Sequence, residues 1–127
     1  MLALDYGSAR CGCAVSDPTG TLASPLAPVL RPSTRKGVRR IVLLAEELDV
    51  RTIVVGLPLS LSGADSAQTT ETRQWASRLG GLVAPTPVVL LDERFTTKLA
   101  AAAGGKASED SRAAAVLLED WLVRERG

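Results

Sequence analysis

The chain alternates between two hydrophobic periods. Leu2-Ala3-Leu4 is short and apolar and is closed by Asp5, the pattern of a buried strand. Gly7 and Gly12 punctuate the next stretch. Cys11–Ser16 reads as a second strand, ended by the turn Asp17-Pro18-Thr19-Gly20, and Thr21–Ala27 reads as a third. These short spacings predict antiparallel hairpins. Between Arg31 and Arg51 the period lengthens. Val38, Ile41, Val42, Ala45 and Leu48 recur at helical spacing, with Ser33 or Thr34 as N-cap. Thr52–Val55 is β-branched and cut by Gly56 and Pro58, which predicts a buried strand. The intervening helix makes that strand parallel to the first. Ser66–Leu79 predicts a second helix with Thr69, Thr72, Trp75, Ala76 and Leu79 nearest one face, terminated by Gly80-Gly81. Pro87–Leu91 predicts another buried strand, ending at Asp92-Glu93-Arg94. Phe95–Ala103 predicts a third helix, cut short by Gly104-Gly105. Ser108 caps a last one, with Glu109, Asp110 and Ser111 in its first turn and Ala113, Ala114, Val116, Leu117, Trp121 and Leu122 as its apolar surface.

The resulting order, β-β-β-α-β-α-β-α-α, specifies an α/β fold. It has one mixed five-stranded sheet whose first three strands are antiparallel, with helices on both faces. Neither a repeat, nor a low-complexity tract, nor a dividing linker interrupts it. The 127 residues read as a single domain, residues 1–127.

Composition narrows the chemistry. The chain has no histidine, which excludes a Ser-His-Asp or Cys-His triad and any His-ligated zinc. Its two cysteines, Cys11 and Cys13, lack zinc spacing and read as small buried thiols, or else as an exposed thiol able to cross-link subunits. The acid at position five interrupts any signal peptide, and no apolar run approaches membrane-spanning length. A cytoplasmic protein that does not engage membranes is expected.

Seven of the fourteen acids, Glu46, Glu47, Asp49, Glu71, Glu119, Asp120 and Glu125, fall on predicted helix surfaces, and Asp17 belongs to a turn. Asp5 differs: it ends an apolar strand, where aspartate is disfavoured and a buried unpaired carboxylate is costly. Glu93 follows the apolar strand Val88–Leu91, and Asp110 lies in the first turn of a helix that is otherwise small and apolar. Each has a structural alternative. Asp5 could cap the turn Tyr6-Gly7-Ser8, Glu93 could pair with Arg94 or Arg10, and Asp110 could complement the helix dipole. Functional groups in α/β sheets gather at the carboxyl ends of parallel strands. If the last helix starts there, three carboxylates converge into an oxygen-ligand site suited to Mg²⁺ or Mn²⁺, with room for two ions. Such a site catalyses phosphodiester hydrolysis without histidine.

Four segments carry a family resemblance. Leu4-Asp5-Tyr6-Gly7-Ser8-Ala9-Arg10-Cys11-Gly12-Cys13-Ala14-Val15-Ser16-Asp17 resembles the opening motif of the YqgF (RuvX) family, of RNase H-like fold. Val54-Val55-Gly56-Leu57-Pro58-Leu59, with Gly63 after it, resembles the second motif. Leu91-Asp92-Glu93-Arg94-Phe95-Thr96-Thr97 is similar to the third, and Glu109-Asp110-Ser111 with Ala113–Leu118 to the last. The resemblance implies a metal-dependent nuclease. The family is described both as a pre-16S rRNA processing nuclease and as Holliday-junction-resolvase-like. Position by position, the catalytic and metal-ligating acids would be Asp5, Glu93 and Asp110. Two departures stand out: Cys11 where isoleucine is common, and a short Ala/Gly-rich segment between Thr97 and Asp110.

The net charge of +1 conceals a strong bias, since twelve of the fifteen basic residues are arginine. Arginine suits bidentate phosphate contacts, though a high-GC genome favours it too. Arg31, Arg35, Lys36, Arg39 and Arg40 put five positive charges within ten residues. They form either a solvated helix face or a phosphate-tracking surface. Arg10 and Arg94 flank the proposed ligand segments. The expected nucleic-acid-binding set is therefore Arg10, Arg35, Lys36, Arg39, Arg40 and Arg94, with Leu59–Ser66 as a substrate loop and Tyr6, Phe95 or a tryptophan as the available stacking aromatics. Structured RNA such as pre-rRNA, or branched DNA, is the expected partner. Junction resolution would require a homodimer. Two alternatives compete: a non-catalytic nucleic-acid-binding assembly factor, and an ATPase of the sugar kinase/actin type. The opening motif also resembles the first phosphate loop of the latter, but those proteins need two such domains.

Overall fold

A computed structural model describes residues 1–16, 23–58 and 66–92. Its elements run β1 (Leu2–Asp5), β2 (Arg10–Ser16), β3 (Ala23–Leu30), α1 (Arg35–Glu47), β4 (Ile53–Leu57), α2 (Ala67–Val83) and β5 (Val88–Asp92). The strands form one sheet in the order β3-β2-β1-β4-β5. β1 pairs antiparallel with β2, and β2 with β3, while β1–β4 and β4–β5 are parallel. This is the mixed five-stranded sheet the sequence predicts. The helices expected at Phe95–Ala103 and after Ser108 lie outside the described residues.

Strand alternation sorts the sheet into two faces. Leu2, Leu4, Cys11, Cys13, Ile53 and Val55 point to the face covered by α1 and α2. There they pack with Val38, Ile41, Ala45, Trp75, Ala76 and Leu79. Ala3, Ala14, Val54 and Leu91 form a smaller cluster on the other face. Both described helices thus cover the same face. β4 is buried along its whole length, as a central strand between two parallel neighbours must be.

The helices begin where capping chemistry allows. Thr34 accepts the Gly37 amide at 3.0 Å and starts α1. α1 ends in a left-handed Asp49 (φ 49°), with the Asp49 amide on the Glu46 carbonyl and the Val50 amide on the Ala45 carbonyl. That is a Schellman closure. Ser66 starts α2 through a reciprocal capping box with Thr69.

Two boundaries differ from expectation. The third strand is Ala23–Leu30 rather than Thr21–Ala27. It contains Pro25 and Pro28, which a strand accepts only where the missing N–H costs no ladder bond, and β3 is an edge strand. α2 also runs through Gly80-Gly81 to Val83. Val83 packs against the core, and the Thr86 amide bonds its carbonyl at 3.0 Å. Tertiary packing outweighs the low helix propensity of two glycines, and the helix stops before Pro85 instead.

Candidate active site

Asp5 is the last residue of β1, half-buried, on the face opposite α1 and α2. It pairs with Gly12 of β2. Leu4 is level with Val55, so the next step along the strands sets Asp5 beside Gly56, which in turn pairs with Leu91. Neither cross-strand neighbour of the carboxylate therefore carries a side chain. Glycines at both flanks leave an oxygen donor reachable by a cation or phosphate, as a Val or Leu pair would not.

Two strands away, Asp92 ends β5 opposite Leu57. With strands about 4.8 Å apart, the ends of β1 and β5 are separated by about 10 Å. Strand alternation sets Asp92 on the helix face with Val88 and Leu90, whereas Asp5 lies on the other face. Glu93 follows Asp92 directly. Glu93, Arg94 and Asp110 lie outside the described residues, so Asp5 alone of the three predicted acids has a described position. Among the described residues no group of three acids and thiols forms a metal-binding cluster.

Arg10 opens β2 and is exposed. It stands two residues before Gly12, a diagonal cross-strand neighbour of Asp5 at about 7–8 Å between Cα atoms. The α1 cations are placed differently. Arg35, Lys36, Arg39 and Arg40 are exposed, while α1 buries Gly37, Val38, Ile41 and Ala45 against the other face of the sheet. A helix is about 10 Å thick, so these four side chains stand a layer away from the Asp5 carboxylate. Their order along α1 opposes the helix dipole. The first turn has no acid and the last turn no base, whereas stability favours the reverse.

Tyr6 points to the helix side and is 4% exposed. Its ring packs on Trp75 at 4.6 Å between centroids, tilted by 35°. Trp75 donates its indole N–H to the Pro32 carbonyl at 3.0 Å, and Arg78 donates to the Ser33 carbonyl at 2.9 Å. The end of β1, the turn before α1 and the body of α2 are thereby tied together. Burial raises the Tyr6 pKa, and its hydrogen bond to Glu71 adds to the shift. Tyr6 and Trp75 are thus structural and unavailable for stacking on bases, which corrects the expectation from sequence. The signal was in the sequence: Trp75 sits on the apolar face of α2.

Cys11 and Cys13 are free and fully buried. Their hydrogen bonding lowers the Cys13 pKa, and burial opposes that shift. The buried-thiol reading holds and the cross-linking one does not. Of Leu59–Ser66, the expected substrate loop, only Ser66 is among the described residues. The residues around the segment are tied, since the Thr69 hydroxyl donates to the Pro58 carbonyl and the Ser66 amide to Thr69 Oγ1 at 3.1 Å. A cavity of about 290 Å³ lined by Val42, Glu46, Asp49, Leu82 and Thr86 lies between the C-terminal ends of α1 and α2 and has no part in this site.

A sequence model of the RuvX family, described as "Holliday junction resolvase", matches residues 1–124. The chain belongs to the RuvX family. Proteins named "Putative pre-16S rRNA nuclease" share 42% identity in Mycobacterium leprae, covering 95% of this chain and 71% of that protein. The figures are 40%, covering 98% and 80%, in Mycolicibacterium paratuberculosis. The fold is similar to that of T. thermophilus RuvC in complex with a Holliday junction substrate. That match has a TM-score of 0.62 and 16% identity, and spans 100% of this chain and 96% of the other. A second Thermus thermophilus RuvC structure gives 0.57 at 15% identity, over 99% and 97%. The RuvX assignment and the RuvC-like sheet bear out the RNase H-like fold read from the sequence. Among the described residues, no helix is long and apolar enough to cross a membrane.

Proposed function

We propose that this RuvX-family chain is a metal-dependent endonuclease that processes the 5′ end of pre-16S rRNA. The observation that carries the proposal is Asp5: a carboxylate at the end of a parallel central strand, flanked on both sides by glycine. The match of the RuvX family model to residues 1–124 disfavours the ATPase alternative.

The oxygen donors fit a hard divalent cation, Mg²⁺ or Mn²⁺, better than a soft one. Asp5, Glu93 and Asp110 would hold the ions, two in number. Bound there, they would lower the pKa of a water and neutralise charge on the scissile phosphate. Arg10, on the Asp5 face, orients a phosphate oxygen through its guanidinium fork. Arg35, Lys36, Arg39 and Arg40, together with Arg94, contribute charge to backbone binding. Recognition then rests on shape and charge rather than base sequence.

The similarity to RuvC bound to a Holliday junction favours a second reading, cleavage of branched DNA. Two cuts on one junction need two sites, hence two copies of the chain. Cleavage of a pre-16S rRNA leader, a single-stranded RNA and a four-way DNA junction with each metal separates the readings. The first reading expects the leader to be cut best, by a monomer or a dimer. Preferred symmetric cutting of the junction by a dimer supports the second. Binding without cleavage in either metal, and undiminished by EDTA, would leave a non-catalytic assembly factor.

A further inference from the structure

Among the described residues, two other than glycine hold a positive φ: Asp49 at 49° and Arg31 at 48°. Asp49 closes α1 in a Schellman motif, and aspartate tolerates that conformation. Arg31 has no such reason in its residue type, because glycine or asparagine takes a left-handed position at lower cost. Its surroundings enforce the conformation. The Arg31 amide donates to the Ala9 carbonyl at 2.9 Å, and its own carbonyl accepts the Thr34 amide at 3.1 Å and the Thr34 hydroxyl at 2.8 Å. Gly37 packs so near that a Cβ there would lie 2.0 Å from the same carbonyl oxygen. The next carbonyl, of Pro32, takes the Trp75 indole. This backbone is over-determined, yet it carries a long exposed cation where a glycine would sit more easily. Strain maintained by the surrounding structure points to a use for the side chain.

The position supplies that use. Arg31 follows Leu30, the cross-strand partner of Arg10, so the two arginines adjoin at the strand-end edge that bears Asp5. We infer that Arg31 is a phosphate-contact residue which, with Arg10, seats the polynucleotide backbone as it approaches Asp5. The inference rests on the nuclease reading. The α1 cations, a helix layer away, serve backbone farther from the cut. A guanidinium contact to phosphate carries no base information, so the effect extends to RNA and DNA of any sequence.

The test is anisotropy binding of the full chain, in EDTA to prevent cleavage, to a labelled RNA hairpin and a labelled four-way DNA junction over a salt series. Arg31→Gly removes the guanidinium and suits the backbone. It is expected to keep or raise Tm, weaken binding about ten-fold at about 50 mM salt, and lower the salt slope by about 1. Arg31→Asn should behave alike, and Arg31→Lys should keep the slope. Wild-type affinity and slope in Arg31→Gly overturn the inference. If cleavage is still lost in Asp5→Asn, that result leaves the nuclease reading standing. A wild-type chain that binds neither probe overturns both.

Discussion

Trp75→Phe tests how the site is held. Trp75 is 4% exposed and fills the junction between β1, α2 and the turn before α1. Phenylalanine keeps an aromatic face for Tyr6 and loses two things. The first is the bond to the Pro32 carbonyl, which lies in a buried residue with the indole N–H as its donor. Leaving a buried acceptor unpaired costs about 1–3 kcal/mol. The second is the volume of the indole's second ring, a partial cavity worth about 1 kcal/mol or more. The sum is a destabilisation of about 2–4 kcal/mol, read as a fall in the urea midpoint at unchanged slope. Because Pro32 adjoins Arg31, nucleic-acid affinity should fall as well while Asp5 stays in place. A loss below about 1 kcal/mol would refute the claim that this bond closes the junction. In that case the Pro32 carbonyl finds water instead.

Other outcomes rest on the same structure. Gly81→Ala should stabilise the protein by about 0.5–1 kcal/mol in thermal melts: position 81 is helical and a Cβ there meets nothing within 4 Å. A decrease would show that the last turn of α2 needs a glycine. Gly37→Ala should destabilise by about 1–3 kcal/mol, because the Arg31 carbonyl must move to admit the methyl group. A neutral result would mean that the turn yields easily. The raised Tyr6 pKa fixes a pH dependence. Below the unfolded pKa, about 10, both states hold the phenolic proton and stability is unaffected. As pH rises from there through the folded pKa, the unfolded chain ionises first and stability falls. Tyr6→Phe should remove that alkaline step from a denaturation series, and its persistence would assign the step to another group.

Much of this was legible in the sequence where one face of one element decides the outcome. Thr69, Thr72, Trp75, Ala76 and Leu79 were grouped by spacing alone, and they are the buried residues of α2. Asp5 stood out because an acid closes an apolar strand, and it does end β1, a central strand parallel to β4. The errors arise where two elements meet. The third strand, expected to end at Ala27, runs on through Pro28 to Leu30, and packing of Val83 carried α2 past its glycines. For the five clustered cations, spacing left two readings, a solvated helix face or a phosphate-tracking surface, and did not say where either lies relative to Asp5. The sheet separates the helix cations from that acid: α1 covers one face and Asp5 opens on the other, while Arg31 stays at the edge with Arg10. Spacing along a helix says which residues share its surface, not which side of a sheet that surface faces. The left-handed backbone at Arg31 likewise has no signature in an arginine.

The central claim is that Asp5 supports metal-dependent cleavage. Its most direct measurement is single-turnover cleavage of a pre-16S rRNA leader by Asp5→Asn beside wild type, in Mg²⁺ and in Mn²⁺, with the melting temperature of both recorded. Losing a metal ligand should slow cleavage by at least about 100-fold, in keeping with the several kcal/mol that metal-ion catalysis supplies, with the fold intact. Cleavage by a folded Asp5→Asn within a few-fold of wild type would contradict the account.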